Sequence, residues 1–363
     1  MRLLSRFLSR RPVHRGHRSG LLNRKSSGRM QLKKHRSRIN SHLLKNPGAV
    51  GMLIRPALRE YRVWTTDSRR WALYRPRRDD IIISASPKTG QTWTQQIVSS
   101  LIFQDAVARP LLQVSPWVDF RSVATVESIH EQIEAQTHRR FLKSHLPIDG
   151  LPLYDSVKYI HVARDGRDAV MSWHNQLTGF SEATRERYSK IGLEDPLIGR
   201  PYPLIPEEPA EFFRLWLTTA VVEGQSDGFP SLSFFDFEAS FWAERHRPNI
   251  LFVHYQDLLD DREGEMRRIA RFLGIEPKEQ VWPSLVAAAG FSAMRAASDE
   301  LMPEFRNRSQ PFFNKGMNGR WQGVFRPDDL TLYETKVREK FSPDLAAWLS
   351  FGHRGGWRQS PIT

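Results

Sequence analysis

Between Ile81 and Leu273 the chain alternates short apolar runs with longer stretches of helical period. The run Ile81-Ile82-Ile83 is β-branched and ends at the turn residues Pro87 and Gly90, as a strand buried on both faces does. Behind it, Trp93, Ile97, Val98, Leu101 and Ile102 predict a helix over residues 92–103, capped by Thr92 or a neighbour. Three more strands are predicted at residues 139–147, 157–163 and 249–255. Helices are predicted after Asp165, over residues 209–224, around residues 240–245, and amphipathically up to Leu273, where Gly274 stops the last one. Residues 178–207, rich in Pro, Gly and charge, read as a long loop of the kind that forms lids or stays disordered. The alternation predicts an α/β fold: a single P-loop-like domain whose central parallel sheet is flanked by helices on both faces. Ligands in such sheets bind beyond the carboxyl ends of the strands, where Lys88, His145 and Arg164 all fall.

A strand, a small-residue loop and a helix N-terminus form an anion site, because backbone N–H groups converge there and the helix dipole favours negative charge. Lys88 adds a mobile cation to that loop. The spacing is not that of a Walker A loop, since Lys88 precedes Gly90 and no glycine lies upstream in the loop. Alone, the loop also reads as an ordinary βα turn with a surface lysine. Val114-Ser115-Pro116-Trp117-Val118-Asp119 reads as an ordered loop over the site, with Trp117 in the pocket or in the core. His145, at a strand end, would by itself more often be structural. The helix after Asp165 sets Ser172 two turns beyond Arg164, so a guanidinium fork and a hydroxyl can face one phosphate.

Pro87-Lys88-Thr89-Gly90-x-Thr92-Trp93 resembles the 5′-phosphosulfate loop of the cytosolic-type sulfotransferases, which use 3′-phosphoadenosine-5′-phosphosulfate (PAPS). The run from Asp67 to Val98 is similar to the bacterial branch, with its aryl and glycolipid enzymes. The resemblance implies that Lys88, Thr89, Gly90, Gln91, Thr92 and Trp93 bind the cofactor, Gln91 standing where the family has Thr. Lys143-Ser144-His145-Leu146-Pro147 resembles the family's Lys-Thr-His-Leu-Pro, which makes His145 the catalytic base and has Lys143 hold the transferring group or the acceptor. Arg164 and Ser172 match the 3′-phosphate pair; Tyr255 matches a residue near the adenine, and Phe291 a ring opposite Trp93. Asn314-Lys315-Gly316 resembles the Arg-Lys-Gly of the closing loop, with Asn314 in place of Arg and Arg320 in place of a later Asp. Weaker cofactor affinity is expected unless Arg320 or Arg326 compensates. The implied activity moves a sulfuryl group from PAPS to the hydroxyl of a phenol, alcohol or glycolipid, without a metal, Lys88 stabilising the leaving phosphate. A P-loop phosphotransferase and a catalytically impaired PAPS-binding relative are the alternatives. The family's C-terminal dimer motif has no counterpart after Trp321, so oligomeric state stays open.

Charge changes the picture at one end only. The 363 residues carry a formal net charge of +14, yet residues 1–50 hold 14 Lys or Arg and no acid, leaving 40 basic residues to balance 40 acids. Residues 1–57 are therefore expected to be a basic, disordered extension, with the enzyme domain over residues 58–363. A transit peptide and a contact to nucleic acid or anionic membrane compete for that extension with the favoured reading, a start chosen too far upstream, Met30 or Met52 being the true one. No nucleic-acid partner is expected for the neutral folded part. With no cysteine and no apolar run of about 18 residues, neither thiolate chemistry nor a membrane span is expected, and a cytoplasmic location is.

Overall fold

The structure, a computed structural model, describes residues 51–121, 124–305 and 312–359. The expectations placed on residues 1–50 lie outside the described residues.

Four parallel strands make the central sheet in the order β3-β2-β5-β6, with β2 at Ile81–Ala85, β3 at Phe141–Ser144, β5 at Lys158–Ala163 and β6 at Ile250–His254. A separate antiparallel pair joins β1 (Leu53–Arg55) to β4 (Leu153–Tyr154), so residues ahead of Leu58 belong to the packed structure. The near-continuous apolar character of the strands follows from coverage on both faces. Ile81, Ile83, Ile160, Val162, Leu251 and Val253 pack on one side and Ile82, Leu142, Tyr159, Ile250 and Phe252 on the other. The first side is covered by α1 (Gln91–Phe103) and, later in the chain, by Met266, Ile269 and Leu273. Opposite them lie Val170 and Trp173, then a cluster of rings that includes Phe212, Phe213, Trp216, Phe234 and Phe235. No described helix is long and apolar enough to cross a membrane.

Four expectations need correction. Thr92 does not cap α1: Gly90 is the cap residue, in the left-handed region at φ 113, and no side chain bonds the first turn. The stretch 178–207 is not all loop, since Glu182–Glu194 is helical and capped by Ser181. Tyr255 does not end a strand; it opens the short helix Tyr255–Asp260, whose cap is His254. The helix predicted over residues 209–224 ends earlier, at Thr218.

The register brings the strand ends level. Ser84 lies opposite Ser144, Ala85 opposite Val162, and Ala163 opposite His254. The residues that leave those ends, toward Lys88, His145, Arg164 and Tyr255, therefore share one edge of the sheet.

Candidate functional site

One cavity opens on that edge, and every predicted site residue except Thr89 lines it. Five cations face it, Lys88, Lys143, Arg164, Lys315 and Arg320, and no carboxylate is among its described lining residues.

The loop between β2 and α1 is built from inside. Thr89 is fully buried, and its hydroxyl donates to the carbonyls of Ser86 and Val162 at 2.9 and 2.7 Å. Gln91 turns its amide under the loop, donating to Ile83 and Ser144 at 2.8 and 2.6 Å. These two side chains anchor the loop to three strands, which leaves the backbone of the first helical turn for an anion. Gly90 is required, because a Cβ there would stand 2.9 Å from Tyr255 Cδ2. Lys88 donates from Nζ to Gln176 Oε1 at 2.7 Å and lies 4.7 Å from the Phe312 ring centre.

His145 follows β3. Its Nδ1 lies 2.5 Å from the Ala85 carbonyl oxygen, which can only accept, so Nδ1 carries the proton and Nε2 is left as the basic atom. Burial, with Lys143 second, pushes its pKa down to about 3, so the ring is neutral at physiological pH. Burial also lowers the Lys143 pKa to about 8. The Lys143 ammonium sits 4.3 Å from the Trp117 ring centre, and the same ring meets His145 edge-on at 4.8 Å. Trp117 is thus a wall of the cavity, and its backbone pairs with Lys143 beside β3.

Sequence reasoning gave Asp119 no role. Its carboxylate is fully buried and accepts from Trp117 Nε1 at 2.9 Å, Trp71 Nε1 at 3.3 Å and the His145 N–H at 3.1 Å. It fixes both the indole and the histidine backbone.

On the nucleotide side, Arg164 is buried under the loop, its guanidinium 4.1 Å from the Tyr255 ring centre. Trp93 meets Tyr255 edge-on at 5.4 Å and donates from Nε1 to the Ala289 carbonyl at 2.7 Å. Gly316, at φ 65, lies so close to Phe291 that a Cβ would come within 2.4 Å of its ring. Asn175, with its amide oxygen turned toward its donors, accepts from Arg320 Nη1 and Nη2 at 3.1 and 3.0 Å and from Asn314 Nδ2 at 2.7 Å. Ser172 lines the same cavity one helical turn away from Asn175. Trp173, Phe180, Tyr188 and Tyr202, packed with the core on one face of the sheet, form an aromatic wall, while Phe305 and Phe313 line the cavity from the core on the other face.

Such an edge suits a polyanion beside an apolar hydroxyl compound, with a neutral base between them. Comparison with known proteins gives it a family. The sulfotransferase domain model matches residues 78–343. A glycolipid sulfotransferase of Mycobacterium bovis (strain BCG / Pasteur 1173P2) is 34% identical over 316 residues, covering 81% of this chain and 95% of that one. Sulfotransferase 2B1 of Mus musculus is 29% identical over 279 residues, 73% of this chain and 72% of its own. Among solved structures, retinol dehydratase in complex with retinol and PAP shares the fold at a TM-score of 0.54 and 21% identity, over 73% of this chain and 82% of that one. Mouse sulfotransferase SULT7A1 complexed with PAP does so at 0.52 and 21%, over 73% and 85%. The chain belongs to the sulfotransferase family.

Proposed function

We propose that the protein moves a sulfuryl group from PAPS to the hydroxyl of a phenol, alcohol or glycolipid. The observation that carries this reading is the cavity itself: five cations and a neutral imidazole at the strand ends, with no carboxylate among the described lining residues to neutralise them. The residues present fit a bisphosphorylated nucleotide. Backbone N–H groups of the loop from Lys88 to Thr92 hold its 5′-phosphate, Arg164 and Ser172 its 3′-phosphate, and Trp93, Phe291 and Tyr255 its adenine. Asn314, Lys315 and Gly316 close over it. Bound PAPS supplies the activated sulfuryl group.

His145 Nε2 takes the acceptor's hydroxyl proton. Lys143 holds the acceptor oxygen and the transferring group. Lys88 stabilises the charge that builds on the leaving phosphate oxygen, and positioning with fixed charge does most of the work, as in phosphoryl transfer. The aromatic wall supports a ring-bearing or lipid acceptor, and the 34% identity to a glycolipid sulfotransferase supports the lipid class.

Calorimetric titration with adenosine 3′,5′-bisphosphate, ATP with Mg²⁺ and a DNA duplex separates this reading from a phosphotransferase or a nucleic-acid binder. Tight binding of the bisphosphate alone is expected, followed by label transfer from ³⁵S-PAPS in a screen of phenols and lipid extracts. Preference for ATP would overturn the reading, and bisphosphate binding with no transfer to any acceptor would point to an impaired relative.

A further inference from the structure

Three arginines gather beyond β5, and they are held in different ways. Arg167 is neutralised, donating from Nε and Nη2 to the Asp165 carboxylate at 3.0 and 2.6 Å. Among the described residues Arg164 donates to neutral acceptors: Asn318 Oδ1 at 2.7 Å, the Met317 carbonyl at 3.0 Å and the Lys88 carbonyl at 3.4 Å. Arg320 has the Asn175 amide oxygen. Among the described residues, neither Arg164 nor Arg320 forms an ion pair with a carboxylate, as Arg167 does. Asp168 is at hand, but its oxygens take the backbone N–H groups of Gly319, at 2.8 Å, and Arg320. Burial lowers the Arg164 pKa, Tyr255 and the nearby Asp168 and Asp165 carboxylates push it back up, and the charge of Arg320 pushes it down.

Two like charges, aimed into one cavity and steadied by amides and carbonyls, are costly until an anion arrives. A phosphate monoester carries about −1.5 to −2 at neutral pH and matches two guanidinium forks better than one. Asn314 supplies no charge, but it shares the Asn175 oxygen with Arg320, which sets the two side chains next to each other.

We infer that Arg320 and Arg164 together clamp the 3′-phosphate of the donor nucleotide, Arg320 supplying the guanidinium that position 314 lacks. The inference rests on the donor reading above. Its test compares adenosine 3′,5′-bisphosphate with adenosine 5′-monophosphate by calorimetry on the full chain. Arg320→Ala is expected to weaken the bisphosphate about 10- to 100-fold and leave the monophosphate within about twofold, since one charge-assisted contact to the 3′-phosphate is lost. Arg320→Lys, which keeps the charge without the fork, should lose less. Asn314→Arg added to Arg320→Ala should recover most of the loss. Unchanged bisphosphate affinity in Arg320→Ala, or an equal loss for both nucleotides, overturns the inference while the donor reading stands. A wild-type chain that binds neither nucleotide overturns both.

Discussion

The Ala85 carbonyl decides how His145 can act. By accepting the Nδ1–H hydrogen bond it leaves Nε2 as the basic atom, and burial pushes the pKa of the ring down to about 3. In the proposed mechanism the base is therefore ready at any working pH, and kcat/KM should show no acid limb near 6.5, where an unperturbed imidazole titrates. The alkaline side is set by Lys143, protonated below its pKa of about 8 and discharged above it, so the rate should fall as the pH rises through 8. A pH–rate profile of wild type against Lys143→Met checks both limbs: the variant should lose the alkaline fall, and an acid limb near 6.5 would refute the lowered pKa of the His145 ring. Asp119 makes a second claim at this scale. Asp119→Ala orphans two indole N–H groups and the His145 N–H, each costing about 1–3 kcal/mol when buried. Turnover should fall about 10- to 100-fold with bisphosphate affinity kept within about twofold, and steady-state kinetics beside calorimetry measures the split. Lys88, His145 and Arg164 were legible because a strand end is a local feature. Asp119 was not, since Trp71 and His145, 48 and 26 positions away, reach it only through the fold.

Elements were legible in proportion to their apolar stripe. The strands and α1 bury most of their residues and stand out in the pattern. Helix Glu182–Glu194 buries only Tyr188 and Gly192, so its charged sequence looks like loop; the Ser181 cap was the signal available. Tyr188 of that helix and Tyr202 beyond it wall the cavity. Glycines set the other limit on reading. The family resemblance makes Gly316 a binding residue, but its physical role is the space it leaves: at φ 65 it admits the Phe291 ring, which a Cβ would overlap at 2.4 Å. Gly316→Ala would add left-handed strain of about 1–2 kcal/mol and push that ring aside. Bisphosphate affinity should drop about tenfold or more, read by calorimetry, while the melting temperature moves little because the loop is peripheral to both cores. An alanine variant with wild-type affinity would remove the ring from the nucleotide site.

Across the whole molecule, charge is divided between two purposes. The described residues from Gly51 onward form one compact unit, in which β1 pairs with Leu153–Tyr154. Outside residues 1–50 the 40 basic residues match the 40 acids, so the cationic cavity is a local concentration in a neutral body, as selective capture of a small polyanion requires. The first 50 residues hold 14 basic residues and no acid, a composition that attracts any polyanion with a strong salt dependence. A chain beginning at Val50 should therefore keep bisphosphate affinity and turnover within about twofold of the full chain. The full chain should bind a DNA duplex or anionic phosphatidylserine vesicles at low salt, and the shortened one should not. Equal binding by both would place the polyanion affinity on the folded unit and undo this division of charge; a collapse of turnover on shortening would make the basic stretch part of the enzyme.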